Sequence, residues 1–172
     1  MTKSESFALR RLSPEDVPAC ERVLRALPAW FGIEESNRAY VESLHRLPAA
    51  VAAAGSEIVG FVALEESNPL SYEIHVMGVE PRRHRRGIGR ALVRWSRDYA
   101  CARGAHWLHV KTRGPRTPDP GYEKTRQFYL AQGFEALFES LSLWGPENAA
   151  LVLVMHLEGA PLYHGVKSKE TP

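Results

Sequence analysis

The chain has 172 residues and a formal net charge of only +2, from 22 Lys+Arg against 20 Asp+Glu. Apolar residues make up 44%, and four Trp, six Tyr and six Phe supply core anchors, which excludes a disordered chain. No uninterrupted aliphatic stretch, Ala49 to Ala54 included, comes near the ~20 residues a bilayer needs, which excludes a membrane-spanning chain.

The length suits one domain over residues 1–172, with a core at about 7–157 and a loose tail. No apolar signal core follows Met1-Thr2-Lys3-Ser4-Glu5-Ser6, so a cytoplasmic location is expected. In chain order, Phe7–Leu12 reads as a strand, and Ser13-Pro14-Glu15-Asp16 as a helix start. Val17, Cys20, Val23, Leu24 and Leu27 carry that helix to Pro28 at helical spacing. Trp30-Phe31-Gly32-Ile33 is an apolar connector, and a second helix is expected from Glu34 to Leu47. Val51–Ala53 and Ile58–Leu64 form a hairpin about Gly55-Ser56-Glu57, and Tyr72–Val79 is the next strand. Gly87 to Arg103 reads as a long helix stopped by Gly104, and Trp107–Lys111 as a strand. A loop of three prolines and two glycines precedes a helix over Tyr122–Gln132, and strands follow near Glu135–Leu143 and Ala150–Leu157. The order β-α-α-β-β-β-α-β-α-β-β describes an α+β protein with a mixed central sheet of about seven strands and four helices. Cys20 and Cys101 read as small buried apolar residues, without the spacing of disulfide or zinc sites. His106 and His109 fall on opposite faces of a strand with no nearby carboxylate, so no metal is expected. Lys111, at its strand's end, is expected to stay exposed.

The most informative stretch runs from Val79 to Leu92, where a strand ends, a basic turn follows and two glycines open a helix. Unpaired backbone N–H groups and the helix dipole make such a turn a site for phosphate or pyrophosphate. Arg82, Arg83, Arg85, Arg86 and Arg90 supply the cationic surroundings. The sixteen residues from Arg82 to Arg97 hold seven arginines and no acid, so the rest of the chain is net acidic. A P-loop is excluded because no lysine follows the glycines, and the dinucleotide fingerprint because Leu92 stands at the third glycine position.

His84-Arg85-Arg86-Gly87-Ile88-Gly89 resembles the Gln/Arg-x-x-Gly-x-Gly/Ala signature of the GNAT family of N-acetyltransferases, with His84 where Gln or Arg is commonest. Phe128-Tyr129-x-x-x-Gly133-Phe134 is similar to that family's second motif, and the element order matches over residues 7–157. Family members often carry Asn and Ala where this chain has Tyr122 and Thr125. The chain also resembles bacterial members of the family that share a Trp-Phe-Gly-Ile connector, a strand ending Val-Lys-Thr and a Thr-Arg-x-Phe-Tyr helix.

The resemblance implies acetyl transfer from acetyl-CoA to a small-molecule primary amine, by direct attack on the thioester. It places CoA at His84, Arg85, Arg86, Gly87, Ile88, Gly89 and Arg90, with an oxyanion donor in the main chain of Met77, Gly78 and Val79, where Gly78 would permit a strand distortion. Tyr129 matches the family's general acid for the departing thiolate. Glu73 resembles the base of histone-acetylating members in its distance from the glycine motif, acting directly or through water, with His75 as competitor. Alternation puts Glu73, His75, Met77 and Val79 on one face. Trp30-Phe31 and the loop Thr112–Gly121 lie where the family builds its acceptor pocket. A homodimer is common in the family. No nucleic-acid or membrane partner is expected. Two other readings stay open: an acyl-CoA sensor without catalysis, and a nucleic-acid-binding module using the arginines.

Overall fold

The computed structural model describes residues 6–157. β1 (Ala8–Arg11), β2 (Ala49–Ala54), β3 (Glu57–Asn68) and β4 (Ser71–Val79) pair antiparallel in chain order. Two-residue turns at Gly55-Ser56 and Pro69-Leu70 set the register of the last three. β5 (Trp107–Arg113) runs parallel to β4, which demands a crossover, and the 14-residue helix α3 (Ile88–Cys101) provides it. β7 (Ala150–His156) then pairs with β5, and β6 (Glu135–Ser140) with β7, giving the order β1-β2-β3-β4-β5-β7-β6. With α1 (Val17–Arg25), α2 (Glu34–Ser43) and α4 (Pro120–Ala131), this is the expected mixed α+β sheet in the expected order. Among the described residues no helix is long and apolar enough to cross a membrane.

Both sheet faces are covered, which is why β2 and β3 read as near-continuous apolar runs. On one face Val59, Val62, Leu64, Tyr72 and Ile74 pack with Leu92 and Val93 of α3 and Tyr129 of α4. On the other Val51, Phe61, Ala63 and Val76 pack with Cys20, Val23 and Leu24 of α1.

Several boundaries shift, each for a local reason. Pro14–Asp16 forms a 3-10 turn, so α1 starts at Val17. There the Asp16 carboxylate accepts the Ser13 N–H at 2.8 Å and two Arg10 N–H groups at 2.6 and 2.8 Å. α2 stops at Ser43 instead of Leu47, where the Ser43 hydroxyl donates to the Tyr40 carbonyl at 2.6 Å. α4 starts at Pro120 instead of Tyr122, because Asp119 caps it by accepting from the N–H groups of Gly121 and Tyr122. β6 ends at Ser140, short of Leu143.

Cys20 is fully buried, and burial pushes its thiol up to about 12. Cys101 corrects the expectation of a buried residue. It is exposed because it falls one residue, about 100° of helix turn, past the buried Ala100. One thiol per folded chain should therefore react with a disulfide reagent at pH 8, and both in denaturant. The Arg10 guanidinium and Ser13 hold the Asp16 carboxyl down at about 2. Its stabilisation is thus present above the unfolded value, about pH 4, and lost as the pH falls through about 2. Asp16→Asn should lower the urea-unfolding free energy at pH 7 by about 1–3 kcal/mol, and the difference should fade between those two pH values.

Candidate active site

β4 and β5 pair only at Ser71↔Trp107, Tyr72↔Leu108 and Glu73↔His109. Beyond Glu73 the strands part: β5 stays on β7 as far as Arg113↔Ala150, and β4 stays on β3 as far as Val79↔Gly60. The main-chain groups on the two facing edges therefore open into a gap instead of bonding each other. A cleft of about 190 Å³ fills it, walled by Glu73 to Met77 on one side and Val110, Lys111 and Thr112 on the other.

β4 carries one extra residue at this point. Ala63 faces Val76 and Leu64 faces Ile74, which leaves His75 as a bulge. The bulge overturns the expectation of one shared face. Glu73 and His75 lie on the α2 side, where His75 meets the Tyr40 ring edge-on at 5.4 Å, whereas Met77 and Val79 pack on the α3–α4 side. It also relocates the distortion expected near Met77–Val79, since those three residues pair regularly with Val62, Phe61 and Gly60. Gly78 serves packing instead: a Cβ there would lie 3.2 Å from Phe61 and 3.4 Å from Leu27 and Val23.

Glu73 is buried, and its carboxylate lies 3.0 Å from Lys111 Nζ across the mouth of the split. Lys111 is therefore not exposed as expected: β5 continues two residues beyond it, so it sits inside the strand and is half-buried. His75 Nδ1 lies 3.1 Å from Glu65, and His109 Nε2 lies 2.8 Å from the Ser67 hydroxyl. Burial pushes the His109 pKa down despite the nearby Glu73 charge, and burial plus Glu73 pushes the Tyr40 phenol up. From the other side of the sheet, Tyr129 of α4 lines the same cleft. Burial raises its phenol well above the ordinary range, so it keeps its proton at neutral pH, and it has no hydrogen bond to a described residue.

The basic turn lies on the α3 side. Arg85 (φ 63°) and Gly87 (φ 83°) are left-handed, a backbone shape that aims successive N–H groups into a concavity. The first-turn N–H groups of α3, from Ile88, Gly89 and Arg90, have no intrahelical acceptor. Ile88 buries its side chain, so only its main chain serves the turn. His84 donates Nε2–H to the Val79 carbonyl at 2.8 Å and braces the turn. Nothing lies within 4 Å of a Cβ built on Gly87, so the turn is open there. Gly89 differs: a Cβ would lie 3.1 Å from the Phe128 ring, so this glycine seats α4, and Tyr129 with it, against α3. Arg82, Arg85, Arg86 and Arg90 are exposed, whereas Arg83 is half-buried near Glu57 (3.5 Å) and Glu80 (4.0 Å).

Trp30 and Phe31 line the cleft, and Trp30 Nε1–H donates to Thr125 Oγ1 at 3.0 Å beside the Tyr122 ring. Of the loop Thr112–Gly121 only Thr112 reaches the cleft, its hydroxyl buried without a hydrogen-bond partner. Tyr40, Lys111 and Trp144 line it too and were missed. Lys111 had a signal, a lone cation among the apolar residues at the end of an expected strand. Trp144, in the β6–β7 connection, had none. Among the described residues no group of three or more His, Cys, Asp or Glu could hold a metal.

Residues 45–136 match the model of the acetyltransferase (GNAT) domain. The chain belongs to the GNAT acetyltransferase family. It is 38% identical over 95 residues to N-alpha-acetyltransferase RimI of Mycobacterium tuberculosis (strain ATCC 25618 / H37Rv), a match covering 49% of this chain and only 60% of that relative. A GNAT-family structure from Desulfovibrio desulfuricans superposes with a TM-score of 0.78 at 20% identity, covering 88% of this chain and 99% of that one. An aminoglycoside 6'-N-acetyltransferase complexed with coenzyme A does so with a TM-score of 0.73 at 17% identity, covering 90% and 99%. At these identities the two structures speak for the fold alone.

The two glycines of the family motif should respond differently to substitution. Gly87→Ala should cost about 1–2 kcal/mol through left-handed backbone alone, and Gly87→Asn less. Gly89→Leu should cost about 1–3 kcal/mol by displacing Phe128, as read by thermal unfolding.

Proposed function

We propose that the chain transfers an acetyl group from acetyl-CoA to a primary amine of a small molecule. The observation that carries this reading is the split between β4 and β5, which joins an anion turn on one face to a buried carboxylate on the other. In the reaction the amine nitrogen bonds to the acetyl carbon, the carbon–sulfur bond breaks, the amine gives up a proton and the CoA sulfur takes one.

The first-turn N–H groups of α3, with Arg85, Arg86 and Arg90 around them, hold the CoA phosphates. Gly87 keeps the main chain open to them, His84 shapes the turn and Gly89 sets its distance from α4. The acetyl group enters the split beside Met77, where N–H groups on the freed β4 edge face its carbonyl oxygen. Main-chain groups of Gly78 and Val79 continue that edge toward the turn. Glu73 anchors the amine and takes its proton directly or through water. Tyr129, held protonated by burial, donates to the departing sulfur.

A cleft of about 190 Å³ favours a small acceptor, being below the ~300–1,000 Å³ of sites for drug-sized ligands. The likeness to RimI supports a second reading, in which the acceptor is an α-amino group at a protein N-terminus. Release of CoA thiol, measured over a panel of small amines and N-terminal peptides, decides between them. Tyr129→Phe should lower kcat about 10²–10⁴-fold at saturating acceptor, with acetyl-CoA binding retained; an unchanged kcat removes the tyrosine's role. No thiol release with any amine would leave an acyl-CoA sensor. Tight, salt-dependent nucleic-acid retention on filters would reassign the arginines.

A further inference from the structure

The acceptor side of the cleft has an unusual electrostatic composition. Among its described lining residues the charged groups are Glu73 and Lys111, 3.0 Å apart, with His75 already against Glu65. The carboxylate that would hold an acceptor's ammonium is thus neutralised before any ligand arrives. A polycationic acceptor gains little in such a site, since each added ammonium needs its own carboxylate and meets the Lys111 charge.

Lys111 has donors to spare. An ammonium carries three N–H groups, and among the described residues its one ionic partner is Glu73 at 3.0 Å. Much of the remaining wall is aromatic, from Trp30, Phe31, Tyr40, Tyr122 and Trp144, beside the polar Thr112 and Thr125. An ion pair in such a half-dry cleft is matched best by a ligand carrying the reciprocal pair at the same spacing. The ligand's ammonium then meets Glu73, its carboxylate meets Lys111, and all four charges alternate.

We infer that the acceptor is a zwitterionic α-amino acid with a bulky apolar or aromatic side chain, its carboxylate read by Lys111 and its side chain by the aromatic wall. The inference rests on the acetyl-transfer reading above and narrows it. An α-amino acid fits because its ammonium and its carboxylate are both bonded to one carbon, which keeps them as close together as Glu73 and Lys111 are. Its free carboxylate also distinguishes it from a protein N-terminus, which offers only the ammonium. Lys111 is on this account a specificity-determining residue, acting on KM more than on kcat.

The test compares leucine and phenylalanine with leucinamide, phenylalaninamide, isoamylamine and phenethylamine, by CoA-thiol release with acetyl-CoA saturating. The acids should exceed their amides and decarboxylated amines in kcat/KM by about tenfold or more, mainly through KM. Lys111→Met should collapse that acid-to-amide ratio toward unity, and Lys111→Arg should restore part of it. Amides or simple amines that match or exceed the acids overturn the inference even if the variants fail to fold. A Lys111→Met enzyme that loses acid and amide activity by the same factor also overturns it, leaving Lys111 as a brace for Glu73. If acetyl-CoA binds calorimetrically but no acceptor releases thiol, the transfer reading itself is overturned.

Discussion

Unpairing two strands in the middle of a sheet leaves N–H and C=O groups without ladder partners, at roughly 1 kcal/mol of lost stabilisation for each bond. The loss is tolerable here because β4 and β5 each keep an antiparallel partner on the far side, β3 and β7. The gap therefore opens inside an intact sheet, and both faces of the protein reach one point through it. Every group assigned to the chemistry is placed by that parting: Glu73 at the last pair, Lys111 two residues beyond it on β5, Met77 along the freed edge and Tyr129 behind it. The bulge at His75 adds a change of phase, so one strand turns its carboxylate to the α2 side and its later residues to the α3–α4 side.

Much of the fold was legible because it rests on local signals. Period-2 and period-3.6 apolar patterns, together with Gly55 and Gly104, mark the elements in their right order. The anion turn was equally plain, since glycines, arginines and a helix start coincide in sequence. What escaped was non-local. Nothing in Tyr72–Val79 announces a bulge, because the mismatch exists only against β3. Gly78 and Gly89 each have a packing role that is equally non-local: Gly78 leaves room for Phe61, Val23 and Leu27, and Gly89 for the ring of Phe128. Lys111 was placed outside the site because its strand was read two residues short.

The charge distribution follows the same division. The arginine-rich stretch lies on the α3 side, beside the open turn at Gly87, and the rest of the chain is net acidic. On the α2 side the Glu73 carboxylate is balanced by the Lys111 ammonium, 3.0 Å away. The two openings of the cleft thus differ in electrostatic character, and the acetyl-transfer reading proposed above assigns a different ligand to each.

The hydrogen bond from Trp30 to Thr125 joins residues from opposite halves of the chain, and Trp144 closes the same wall from nearer the end. During synthesis the strands β1 to β4 and the turn before α3 emerge first. On the acetyl-transfer reading that wall receives the acceptor, and it is complete only after Trp144 has left the ribosome. The chain segment of the basic turn is therefore made well before the last segment of the opposite wall.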